Sequence, residues 1–167
     1  MEAMQRRQAF CDTLRRHGIE PETRRMGDYS FNESDGEKAF NDFADRGCLL
    51  ADVVVCANDM MAIGFINKLE QCGYKVPEDM RVTGFDNTLR AQSNIPGLAS
   101  VKRCNEELGR QCVDSMIRML AGGIYPKNEY STHEYVPNES CGCVPYVVTE
   151  RHRKKEIFDI LYTNEEI

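Results

Sequence analysis

Apolar and polar positions follow two rhythms along this chain, and the change of rhythm is clearest between Val53 and Asp86. Val53, Val54 and Val55 form a short β-branched run, the signature of a buried strand. Asn58 and Asp59 end it. Apolar residues then recur at Met61, Ala62, Phe65, Ile66 and Leu69, the spacing of a helix face. Gly73 follows as a helix stop, Pro77 lies in a turn, and Met80–Phe85 reads as a second strand running into Asp86. Strand, helix and strand with short joins make a βαβ unit, whose strands run parallel with a right-handed crossover. Both strands end in paired polar residues, Asn58-Asp59 and Asp86-Asn87. In an open α/β sheet the carboxyl ends of the strands line the ligand crevice, so Asn58 and Asp86 are expected to face one cleft.

The same reading extends along the chain. Glu2–His17 carries Ala3, Phe10 and Leu14 on one side and stops at Gly18, which predicts a helix. Thr23–Tyr29 predicts a strand. Ser34 and Glu37 have capping-box spacing and open a helix with Ala39, Phe40 and Phe43. Leu89–Asn94 predicts a short helix broken by Pro96, and Leu98–Lys102 a short strand. Asn105–Leu120 predicts an amphipathic helix with Leu108, Cys112, Val113, Met116, Ile117 and Leu120 in a stripe, ended by Gly122-Gly123. His133–Val136 reads as extended, and Glu150–Tyr162 as charged, then helical. Alternating strands and helices predict an α/β fold of three layers. Its mainly parallel sheet would hold Thr23–Tyr29, Val53–Ala57, Arg81–Phe85 and part of Leu98–Lys102, with helices on both faces.

Composition narrows the classes. The 167 residues suffice for one domain with its own core. A formal net charge of -6 argues against a surface that grips a phosphate backbone. There is no apolar run long enough to span a membrane and no basic segment followed by an apolar one at the N-terminus, so a cytoplasmic setting without membrane partners is expected. The eight cysteines are scattered, which points to buried thiols of a reducing compartment rather than to a disulfide framework. Cys141-Gly142-Cys143 invites a metal or redox reading. One such pair gives only two ligands, tetrahedral zinc takes four, or three and a water, and His17, His133 and His152 are far apart in sequence. No metal or cofactor is therefore expected. Neither G-x-S-x-G, P-loop nor G-x-G-x-x-G occurs, so the chain is not read as an enzyme.

Three stretches in register carry a more specific signal: CANDMMAIGF from Cys56, VPEDMRVTGFDN from Val76 and IPGLASVKR from Ile95. In order and spacing they resemble the effector-binding domain of the LacI/GalR family, which shares the periplasmic-binding-protein type of fold. The likeness runs from about Gln5 to about Cys141. It implies two α/β lobes with the chain crossing between them three times. Only the second lobe and crossover elements are visible in this sequence. On that basis residues 1–103 are the second lobe, 104–143 the crossover helix and strand shared with the first lobe, and 144–167 a C-terminal extension or linker helix.

Candidate site residues follow. By its chemistry Asp86 is either a strand-end carboxylate that accepts hydroxyl or amine hydrogen bonds, or the N-cap of the next helix. The resemblance implies the former, because the family's matching aspartate binds effector hydroxyls or amines. Asn58 offers a donor and an acceptor suited to a polyol and can also cap the Met61 helix. Asp59 reads as structural, a negative charge in the first helical turn. The resemblance also implies Arg6, whose planar fork can hold a carboxylate, a ring nitrogen or paired hydroxyls; the plainer reading is a solvated helix charge beside Arg7. Tyr29 matches an aromatic position that stacks on the effector ring, or is simply an exposed tyrosine. Arg103 either lines the cleft or pairs with Glu106 or Glu107.

The function expected is reversible binding of a small polar, sugar-like or nucleoside-like ligand that biases the closure of two lobes. DNA would be reached only through a domain outside this sequence. Two other readings stay open on the sequence alone. One is a sensor joined to an output domain such as GGDEF, suggested by the charged stretch Glu150–Glu156 leading into an amphipathic segment. The other is a free-standing sugar-binding protein, which the absence of a visible secretory signal disfavours. The stripe on Asn105–Leu120 needs a cover that the missing lobe would supply, so a homo-oligomer is expected, by dimerisation or by exchange of residues 105–139 between copies.

Overall fold

The computed structural model describes residues 2–21, 30–47, 51–123 and 130–143. Helices α1 (Glu2–Arg16) and α2 (Glu33–Asp45) come first. The order continues β1 (Val53–Val55), α3 (Asp59–Gln71), β2 (Arg81–Thr83), α4 (Leu89–Ser93), β3 (Ser100–Arg103), α5 (Asn105–Leu120), β4 (His133–Val136) and a 3₁₀ turn, Glu139–Cys141. The strand expected at 23–29 and the helix expected at 150–162 lie outside the described residues.

Helix α2 starts earlier than the Ser34–Glu37 spacing implies. Its N-cap is Asn32, whose Oδ1 accepts the Asp35 N–H at 3.0 Å while the Asp35 carboxylate accepts the Asn32 N–H at 3.3 Å. The Ser34 hydroxyl donates to Asn32 Oδ1 instead of capping the helix itself. Helix α3 follows the predicted spacing. Asn58 Oδ1 accepts the Met61 N–H at 3.0 Å, and Gly73, at φ +87°, turns the chain away.

Helix α3 is the centre of the core. Met61, Ala62, Ile63, Phe65, Ile66 and Leu69 are all buried, because the helix packs on both α2 and the sheet. Phe40 and Phe43 of α2 meet Phe65 edge-on, with centroids 5.6 and 5.7 Å apart. Two glycines let the helices approach: a Cβ on Gly36 would overlap the Met61 backbone, and one on Gly64 the Glu33 backbone.

Strands β1 and β2 run parallel with Val54 opposite Val82, as the βαβ pattern predicts. Val54 and Val82 enter the core beside Met80 and Leu98. Val53 and Val55 stay about half exposed, so the valine run is buried on one face only. Successive strand side chains point to opposite faces, and among the described residues only the Val54 side is covered. Strand β3 joins β2 through two isolated parallel bridges, Thr83 to Ala99 and Asp86 to Lys102, and pairs antiparallel with β4. Ser140 reinforces that sparse seam: its hydroxyl donates to the Val82 carbonyl at 2.6 Å and accepts the Ala99 N–H at 2.8 Å.

Helix α5 has the predicted boundaries, and none of its residues is buried. Leu108, Val113, Met116, Ile117 and Leu120 are exposed. The described cysteines are free, but they are not uniformly buried as the sequence suggested. Cys11 is buried, whereas Cys72, at the C-cap of α3, and Cys112, on the uncovered α5, are exposed. No helix of the described residues is long and apolar enough to cross a membrane.

Candidate ligand site at the strand ends

The ends of β1 and β2 are held level by backbone hydrogen bonds. The Cys56 N–H donates to the Thr83 carbonyl at 2.9 Å, and the Asp59 N–H to the Phe85 carbonyl at 3.0 Å. This places Asn58 and Asp86 at the same edge. Burial and the nearby Asp59 carboxylate push the Cys56 thiol up to about 12, so it stays a neutral packing group.

Arg6 reaches both strand ends from α1. Its Nη2 donates to the Ala57 carbonyl at 3.0 Å, and its guanidinium lies 4.1 Å from the centroid of the Phe85 ring. The ring of His133, at the start of β4, lies 6.1 Å from that of Phe85. Asp86 does not cap the next helix: Thr88 does, accepting the Ala91 N–H at 3.2 Å. Asp86 instead accepts from Arg103 Nε at 3.0 Å, so Arg103 pairs across the seam rather than with Glu106 or Glu107. Asn58 is doubly engaged. Its Oδ1 caps α3, and its Nδ2 donates to the Phe31 carbonyl at 2.8 Å. Tyr29 lies outside the described residues.

The turn bearing Asp86 is unusual. Asp86 has φ +112° and Asn87 φ +50°, two consecutive non-glycine residues at positive φ. A buried network holds them there. Asp59 is fully buried; its Oδ2 accepts the Thr88 N–H at 2.7 Å, and its Oδ1 accepts the Ser100 hydroxyl at 2.5 Å. The Ser100 oxygen in turn accepts the Asn87 N–H at 3.0 Å. Asp59 is thus structural, as expected, but through contacts far along the chain rather than through the helix dipole alone. Strain held by a rigid network at a strand end is typical of a site residue.

The edge therefore assembles a carboxylate acceptor, two guanidinium groups and an aromatic ring. Sequence reasoning missed Phe85, His133 and Ser100. Phe85 directly precedes Asp86, but nothing in the sequence says that Arg6 covers it. Among the described residues no group of three or more His, Cys, Asp or Glu side chains is placed to hold a metal ion.

Comparison with known proteins places the fold. Residues 2–141 match the periplasmic binding protein-like domain family. The HTH-type transcriptional repressor MelR of Bacillus subtilis is 31% identical over 130 residues, which are 78% of this chain and 37% of that protein. The structure of a LacI-type transcription regulator from Bifidobacterium animalis superposes with a TM-score of 0.72 at 30% identity, covering 81% of this chain and 49% of the other. The transcriptional regulator CelR, in its cellobiose complex, superposes with a TM-score of 0.74 at 25% identity, covering 82% of this chain and 42% of the other. The chain spans little more than a third of the curated relative and less than half of either solved chain. It belongs to the periplasmic-binding-protein-like family, as a segment of a LacI/GalR-type effector-binding domain.

Proposed function

We propose that this chain is the second lobe of an effector sensor in a LacI-type transcriptional regulator and supplies one wall of a site for a sugar-like ligand. The observation that carries this reading is the Asp86–Arg103 pair at the strand ends, beside Arg6 stacked on Phe85. The pair is partly open to solvent, with side chains 27% and 41% exposed. Such a pair contributes only about 0–1 kcal/mol, so ligand hydroxyls can take the place of either partner at little cost. A carboxylate then accepts from the hydroxyls, the guanidinium groups donate to ring or hydroxyl oxygens, and an aromatic face packs the apolar side of the ring. The CelR complex with cellobiose supports the ligand class.

Arg103 ends β3 and the next residues open α5, the segment assigned to the crossover toward the first lobe. A ligand that replaces the Asp86–Arg103 contact therefore acts where one lobe gives way to the other, and so biases their closure. The output is a population shift passed to a DNA-binding domain outside this sequence, as the names of the relatives favour over an enzymatic output domain. The test is a thermal-shift screen of the two-lobed protein against mono- and disaccharides and nucleosides. A saccharide that raises Tm in a concentration-dependent way supports the reading. A response to none of the saccharides contradicts it.

A further inference from the structure

The Cys141-Gly142-Cys143 motif takes no part in the strand-end site, yet its surroundings are ordered by the fold. Ser140 is fully buried between Val82 and Ala99, and its N–H donates to the Gly97 carbonyl at 2.9 Å. The 3₁₀ turn closes with the Cys141 N–H on the Asn138 carbonyl at 3.1 Å and the Gly142 N–H on the Glu139 carbonyl at 2.8 Å. Gly142 then adopts φ +83°, a left-handed conformation that side-chain-bearing residues rarely take. This reversal sets Cys143 beside Cys141, close enough for each thiol to influence the other's titration. Tyr135 of β4 and Cys141 interact electrostatically, and the Arg81 guanidinium of β2 lies beside Gly142, near Cys143. Cys141 is partly buried and Cys143 is exposed, so a small reagent can reach the pair.

We propose that Cys141 and Cys143 form a reversible dithiol–disulfide site that exchanges with small-molecule disulfides. Cys141 attacks as a thiolate one sulfur of the small disulfide, whose S–S bond breaks; the departing thiolate takes up a proton. Cys143 then loses its proton to water, attacks the Cys141 sulfur of the mixed disulfide and expels the second small thiolate. The protein dithiol is oxidised by two electrons, and one small disulfide is reduced to two thiols. The division of labour follows the surroundings. The Cys141 thiol donates to the Asn138 carbonyl at 3.1 Å; burial pushes it up, but its interactions with Cys143, the Asn138 backbone and Tyr135 hold it below its ordinary value. Contact with Cys141 and burial raise Cys143, and Arg81 opposes the rise, favouring the thiolate when Cys143 attacks in its turn.

The test equilibrates the reduced chain in glutathione buffers of graded thiol-to-disulfide ratio, quenches in acid, and maps the linkages by differential alkylation and mass spectrometry. The expected result is an intrachain Cys141–Cys143 link at ratios that leave the exposed Cys72 and Cys112 as thiols. Cys143→Ser should trap glutathione on Cys141. Equal oxidation of Cys141, Cys143, Cys72 and Cys112 at every ratio overturns the proposal, as does linkage of Cys141 to a different cysteine. The wild-type measurement decides the matter even if Cys143→Ser folds poorly.

Discussion

Replacing Asp59 by alanine should strongly destabilise this lobe, although Asp59 is sealed away from the strand-end surface. The substitution removes a fully buried carboxylate that accepts the Thr88 N–H at 2.7 Å and the Ser100 hydroxyl at 2.5 Å. A hydrogen bond to a charged group contributes about 1.5–3 kcal/mol net, so two together are worth about 3–6 kcal/mol. Domains of this kind are stable by only about 5–15 kcal/mol. With a urea m-value of about 2 kcal/mol/M, the midpoint should fall by about 2 M. Asp59→Asn keeps the shape and one acceptor oxygen, and its amide can no longer accept from one of the two donors, so about half of that loss is expected. Urea unfolding followed by circular dichroism measures both. A midpoint within about 0.5 M of wild type for Asp59→Ala would show that the network does not hold the Asp86 turn.

Other outcomes follow from the same geometry. Gly64→Ala places a methyl against the Glu33 backbone and should cost about 1–3 kcal/mol of stability in urea melts; an unchanged midpoint would mean that α2 and α3 separate freely. Burial tends to raise Asp35, but Lys38 at 3.1 Å and the Asn32 and Ser30 backbones hold it below its ordinary value. Its contribution is therefore fully present above the unfolded carboxylate range and is lost as pH falls through the depressed folded value; Asp35→Asn should flatten that acidic limb of stability against pH. Cys56 should resist alkylation at pH 8 long after Cys72 is labelled, because burial and Asp59 push its thiol up to about 12. The exposed α5 face should drive self-association, seen as dimers or larger species by light scattering and weakened by Ile117→Glu. A monomer with the Leu108 and Ile117 amides protected from exchange would contradict that expectation.

Much of the fold was legible because local pattern and tertiary packing agree. The α3 spacing, the Asn58 cap and the boundaries of α5 follow from residues close together in sequence. The start of α2 was misplaced because two capping signals overlap, and the Asn32 amide prevails over the Ser34 hydroxyl. The Val53–Val55 run reads as a buried strand from composition, but burial is decided by which face α3 covers. Of the site, Asp86 and Asn58 were legible as strand ends, while their partners were not. The Asp86–Arg103 pair, the Arg6–Phe85 stack and the Ser100–Asp59 bond all join residues far apart in sequence. The positive φ of Asp86 is likewise set by that network and leaves no local mark in the sequence.

In the function proposed, Asp86 supplies a carboxylate to a sugar-like ligand at the strand ends. Titration calorimetry of the two-lobed protein, wild type and Asp86→Ala, with the saccharide found by thermal shift, tests it most directly. Loss of the carboxylate leaves ligand hydroxyls unpaired, so affinity should fall by about 1–3 kcal/mol, roughly 5- to 150-fold, with the fold retained. Unchanged affinity in a folded Asp86→Ala protein would contradict that claim.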